Sequence, residues 1–206
     1  MSVSSHATSA TVAQDSLTES RMRTAFTLWL TGLSGAGKST LAGALAARLR
    51  ADHVAVEVLD GDDVREHLSK GLTFSREDRN TNVRRIAYVA KLLSRNGVAV
   101  ITAAISPYRS ARDQARREIG DRFLEIYVNA SLETCINRDT KGLYSKAIAG
   151  VITAFTGISD PYEPPSAPDV EVNTERETVE QSVERVFDAL RHRGFLHSLQ
   201  SSNSTA

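Results

Sequence analysis

Between residues 24 and 195, short apolar runs alternate with longer segments in which apolar positions recur every three or four residues. FTLWL (26–30), VAVEVLD (54–60), VAVITAAI (98–105), FLEIYVNA (123–130) and DVEVNT (169–174) read as strands. VAVITAAI is the most continuous of them and predicts a strand covered on both faces. The segments between them read as helices. Leu41, Leu45 and Leu49 share one face after the first strand, and Val83, Ile86, Val89, Ala90 and Leu93 share a face of the segment that Gly97 ends. YRSARDQARREIG (108–120), SLETCINRD (131–139, capped by Ser131) and the amphipathic stretch 175–194 follow, the last with Val179, Val183, Val186, Phe187 and Leu190 inward. This alternation predicts an α/β fold, a mostly parallel sheet with helices on both faces. Residues 141–165 break the pattern: with three glycines, three prolines and poor periodicity, they predict a mobile lid.

Length and composition narrow the reading further. A chain of 206 residues suits one domain, placed at 23–196, with a disordered N-terminal extension at 1–22 and a disordered tail at 197–206. Lys plus Arg and Asp plus Glu both total 25, so no global charge calls for a nucleic-acid or membrane partner. The first twenty residues lack an apolar core and contain no Arg, so neither a secretory signal nor a transit peptide is expected there. Cys135 is the single cysteine, which excludes an internal disulfide and suits a reducing compartment, the cytoplasm. The five histidines show no metal-ligand spacing.

Chemistry enters between the first strand and the first helix. Gly32-Leu33-Ser34-Gly35-Ala36-Gly37-Lys38-Ser39, followed by Thr40, fits the phosphate-loop pattern G-x-x-x-x-G-K-[ST]. Glycines let backbone N–H groups converge on an anion, and the following helix adds its positive end. In such a loop Lys38 reaches the β- and γ-phosphates of ATP and the Ser39 hydroxyl ligates Mg²⁺. A guanine-reading N-K-x-D stretch is missing, NRDT (137–140) being the nearest. VAVITAAI ends in no carboxylate that would position water for a motor. A short chain with a late flexible segment fits a three-layer P-loop kinase fold, whose lid excludes water so that the phosphoryl group goes to an acceptor.

The acceptor site belongs at the carboxyl ends of the strands beside the loop. There DGDDVREHL (60–68) offers Asp62, which could take a hydroxyl proton or hold a metal-bound water, and which would equally suit helix capping. Asp60 reads as structural. Arg65, Phe74, Arg79 and Asn82 follow, and arginines there suit an anionic acceptor. On spacing alone Phe74 and Phe155 read as core.

GLSGAGKST, LDGDDVR, FSREDRNTNVRRI, ISPYR, RDTKGLY and FTGISDPYEPP, in this order and over residues 24 to 195, resemble the adenylylsulfate kinase family. Its members phosphorylate the ribose 3′-hydroxyl of adenosine 5′-phosphosulfate (adenylyl sulfate) with Mg·ATP in sulfate assimilation. The resemblance implies that Arg65, Arg79 and Asn82 hold the phosphosulfate and ribose, while Phe74 and Phe155 sandwich the adenine. Ile105 and Ser106 would line the acceptor site, Arg138 would pack on the adenine of ATP, and Lys141 would neutralise charge in transfer. Asp62 becomes the acid that orients or deprotonates the 3′-hydroxyl. Ser106 stands where the family has a serine discussed as a phosphate carrier, but no base lies near it in sequence, which favours direct in-line transfer. The resemblance further implies a homodimer and allows a separate ATP sulfurylase partner.

The lid departs from the family pattern. Thr140 stands where proline is common, and Ser145 and Ile148 occupy places that are often charged. A related kinase with another anionic nucleotide as acceptor is the alternative these positions leave open, and a non-catalytic nucleotide-binding scaffold is a second.

Overall fold

In the computed structural model, residues 25–196 are described; the extension at 1–22 and the tail at 197–206 fall outside them. Five strands form one parallel sheet in the order β2-β3-β1-β4-β5: β1 Thr27–Thr31, β2 Val56–Asp60, β3 Ala99–Ala103, β4 Phe123–Asn129 and β5 Val170–Asn173. β1 is the middle strand and every one of its residues is buried, as TLWLT on a two-sided sheet requires. Its alternating side chains feed two cores. Leu28 and Leu30 enter the larger one with Leu41, Leu45 and Leu49 of α1 (Lys38–Ala51) and Val186, Phe187 and Leu190 of α7 (Val179–His192). Trp29 enters the other, with Ile86 of α3 (Arg76–Arg95) and Ala111 and Ala115 of α4 (Arg109–Ile119). Three layers result, as the alternation predicts.

Register sets the working rim. Leu30 and Asp60 both lie opposite Ala103, so β1, β2 and β3 end at one level. The phosphate loop, the Asp60 turn and the stretch Ala104–Pro107 therefore meet along one edge. Helix starts are marked by hydroxyl caps at Ser75, Ser131 and Thr178, the last in a reciprocal box with Gln181. The short α2 (Gly61–His67) is capped by Asp60, whose carboxylate accepts from Asp62 N at 3.1 Å. The cap is thus Asp60, and Asp62 is left free for other work.

The segment at 141–165 is more structured than its composition predicts. After α5 (Leu132–Arg138), the Asp139 carboxylate accepts from Tyr144 N at 2.9 Å and Ser145 N at 3.0 Å and starts α6 (Leu143–Ile148). Six residues span under two turns, too few for a helical period to register in the sequence. Tyr144 and Phe155 are buried edge to face at 5.0 Å, and the Tyr144 hydroxyl donates to Ser34 O at 2.9 Å. Residues 160–164 are fastened as well: Glu163 N donates to Pro107 O at 2.8 Å, and Tyr108 donates to Asp160 at 2.8 Å.

Candidate active site

The phosphate loop divides into a back wall and a working face. Gly32 belongs to the wall: a Cβ there would lie 2.4 Å from Val128 O, closer than real contacts come. Leu33 and the fully buried Ala36 complete the wall, and none of the three lines the cavity. Ser34, Gly35, Gly37, Lys38, Ser39 and Thr40 do line it. Gly37, at φ 102°, starts α1 with no side-chain cap, so the helix opens on bare backbone, as anion binding at its end requires. The Lys38 ammonium donates to Gly32 O at 2.9 Å and Leu33 O at 2.7 Å, which folds it back across the loop. Burial is the main cause that lowers its pKa to about 8, with nearby Lys141 adding in the same direction.

Beside the lysine, the Ser39 hydroxyl donates to Asp60 at 2.7 Å. Asp60 thus has two tasks, capping α2 and facing the loop serine, where the sequence suggested only a structural one. A hydroxyl and a carboxylate side by side are hard oxygen donors that fit a Mg²⁺ arriving on phosphates and keeping waters. Among the described residues no group of three His, Cys, Asp or Glu could hold a metal unaided.

The loop opens into a cavity of about 700 Å³, within the size range of small-molecule sites. Asp62, Arg65, Phe74, Arg79, Asn82, Ile105, Ser106, Lys141 and Phe155, predicted from sequence, all line it, as does Arg138. Pieces of chain far apart in sequence meet here: Lys141 bonds Asp62, 79 positions away, across the mouth. Phe74 is half exposed with the Arg65 guanidinium 4.4 Å and that of Arg79 5.5 Å from its ring centre. Partial burial, and next the charge of Arg79, hold the Arg65 pKa below its usual value. Two crowded guanidiniums beside an aromatic face suit an anion attached to a base. Arg79 is itself engaged, donating to Phe74 O at 2.8 Å, to Thr156 at 2.8 Å and to Ala154 O.

Three side chains have duties that their sequence positions do not reveal. Arg138 donates to Gly35 O at 3.3 Å and to Thr174 at 3.1 and 2.8 Å, and Thr174 in turn donates to Ala36 O at 2.9 Å. Thr174, just after β5, therefore staples the loop to the sheet edge, a role whose only sequence signal is its place at a strand end. Ser106 is 3 % exposed at φ 40°. Its hydroxyl donates to Ala104 O at 3.1 Å and accepts from Trp29 Nε1 at 3.0 Å. Its one proton is committed, and no base waits for it.

A parallel sheet with a phosphate loop after its central strand, a lysine in the loop and a cavity opening beside it on the same rim defines a phosphate-loop phosphotransferase. The adenylylsulphate kinase family model matches residues 24–173. An adenylyl-sulfate kinase of Myxococcus xanthus is 60% identical over 174 residues, spanning 83% of this chain and 94% of its relative. One of Rippkaea orientalis is 58% identical over 170 residues, 82% of this chain and 93% of that one. Among solved structures, Mycobacterium tuberculosis APS kinase in complex with AMPPNP and APS aligns with TM-score 0.78 and 41% identity over 81% of this chain and 97% of that one. The chain belongs to the adenylylsulphate kinase family.

Proposed function

We propose that the protein transfers the γ-phosphoryl of ATP to the ribose 3′-hydroxyl of adenylyl sulfate, giving 3′-phosphoadenylyl sulfate and ADP, by direct in-line displacement. The observation that carries this is one cavity lined by the phosphate loop, by Phe74, Arg65 and Arg79, and by the bonded Lys141–Asp62 pair. Ser34, Gly35 and Gly37 to Thr40 would hold the phosphates of ATP, with Gly32, Leu33 and Ala36 shaping the loop from behind. Arg138 would meet the adenine of ATP with its guanidinium face while its N–H groups hold Thr174.

On the acceptor side, Arg65, Arg79 and Asn82 would take the phosphosulfate and ribose, and Phe74 and Phe155 the adenine. Ile105 and Ser106 would close the wall. Asp62 would orient or deprotonate the 3′-hydroxyl, and Lys141, released from Asp62, would offset charge on the transferring group. Ser39 and Asp60 would hold Mg²⁺, which when bound neutralises phosphate charge. The committed Ser106 proton supports transfer without a phosphoserine.

Wider readings rest on the family resemblance and on the single cysteine: a homodimer, a cytoplasmic setting, and a separate ATP sulfurylase as supplier of the acceptor. No helix among the described residues is long and apolar enough to cross a membrane. The test is ADP release from Mg·ATP with adenylyl sulfate, AMP, CMP, gluconate or shikimate as acceptor, with Lys38→Ala as control. Turnover with adenylyl sulfate alone, absent from the control, is expected. Turnover only with another acceptor would leave the loop correctly read and the acceptor side wrongly read.

A further inference from the structure

The acceptor wall at Ile105–Pro107 has no regular structure, and Ser106 sits in the left-handed region that non-glycine residues seldom adopt. Something must hold it. Below the wall lies Arg112 of α4, 2 % exposed, with its donors divided among three parts of the chain. Nη1 donates to Ser106 O at 2.6 Å, Nη2 to Glu163 O at 2.7 Å, and Nε to Glu125 of β4 at 2.7 Å. Thr31 donates to Ile105 O at 2.7 Å, which spends its only proton, so the Tyr162 hydroxyl donates to Thr31 at 3.0 Å. The wall and residues 160–164 are thereby tied to one another and to the end of β1.

We infer that Arg112 is a positioning residue for the acceptor: by gripping the Ser106 and Glu163 carbonyls together it fixes the wall and the end of the lid segment in one arrangement. A planar guanidinium with five N–H groups can serve three acceptors at fixed angles, whereas an ammonium serves them as a point charge on a flexible stem. Glu125 sets the orientation of that guanidinium and balances its charge in the interior. Arg112 touches neither the phosphate loop nor the cavity, so its influence falls on one half of the site. The inference rests on reading that half as the adenylyl sulfate site.

The test is Arg112→Lys, assayed for both substrates, with thermal melts. Expected is a KM for adenylyl sulfate raised about tenfold or more and a KM for ATP within about twofold of wild type, the pattern of lost acceptor positioning alone. Should Arg112→Lys fail to fold, the double variant Arg112→Met with Glu125→Leu removes both buried charges together, which cores commonly tolerate; the same split in KM is expected of it. Trp29, the single tryptophan, gives a reading free of turnover, since its indole N–H is bonded to Ser106. Its emission in the ligand-free folded variants is expected to shift.

A folded variant with unchanged KM values and unchanged emission overturns the inference. So does a failure of both variants to fold, which would make the group a folding element only. Wild-type protein inactive on adenylyl sulfate sinks the acceptor reading instead, and the Trp29 emission then decides whether Arg112 fixes the wall.

Discussion

Lys38 is a charged group that the folded protein buries before its ligand arrives. Free lysine titrates at 10.5, and burial in the loop brings Lys38 down to about 8. A phosphate anion against the ammonium should return it toward the ordinary value, a gap worth about 3 kcal/mol at about 1.4 kcal/mol per pKa unit. At pH 9, then, about nine-tenths of the empty protein carries neutral Lys38 while the nucleotide complex is almost wholly protonated, so binding should take up about 0.9 proton. At pH 7 the uptake should fall to about 0.1.

The same balance makes only about a tenth of the protein binding-competent at pH 9, weakening nucleotide affinity by about tenfold. The sign for stability is set by the lowered folded value. Between pH 8 and 10.5 the unfolded chain binds more protons at this site, so the empty protein gains stability from Lys38 as pH rises through that window. Calorimetric titration with AMPPNP in two buffers of different ionisation enthalpy, at pH 7 and pH 9, measures the uptake. Lys38→Met should abolish the pH-9 uptake. Uptake under about 0.2 proton at pH 9 in wild type would refute the claim that the loop buries its lysine at the expense of its charge.

Other predictions follow from single contacts. Gly32→Ala would drive a Cβ to 2.4 Å from Val128 O, and should lower the melting temperature and abolish nucleotide binding, read by melts with and without ATP. Phe74→Ala should raise the KM for adenylyl sulfate by the loss of about 1–3 kcal/mol of base stacking and leave the KM for ATP unchanged in steady-state assays. Lys141→Ala should cost about 3 kcal/mol of transition-state stabilisation, roughly a hundredfold in kcat, with little change in binding by calorimetry. Thr174→Val removes the hydroxyl bonded to Ala36 O, and should raise the KM for ATP severalfold while acceptor KM holds.

How much of this was legible in the sequence depended on the range of the interaction. All five strands lie where the apolar runs put them, because a parallel sheet covered on both faces demands continuous apolar residues. The phosphate loop is local, eight residues whose spacing is itself the geometry. The helix at Leu143–Ile148 is not legible, being too short to show a period, with Gly142 at its N-cap and its first N–H groups held by the Asp139 carboxylate. From sequence Asp60 reads as structural only, because its second partner, Ser39, lies 21 positions away. The duties of Thr174 and Arg112 depend on contacts 138 and 51 positions distant, which no local pattern encodes. Phe155 reads as core from spacing and as a site residue only by family likeness, and the structure adds that Arg79 grips the 141–165 segment through Thr156.

The central claim is that the phosphoryl passes directly from ATP to the ribose of adenylyl sulfate. The most direct measurement is a rapid-quench single turnover with γ-labelled ATP and excess protein, following label in protein and product. Direct transfer predicts label appearing in 3′-phosphoadenylyl sulfate in step with ADP and none retained on protein. Label that reaches the protein first, is lost in Ser106→Ala, and then moves to the product would contradict it.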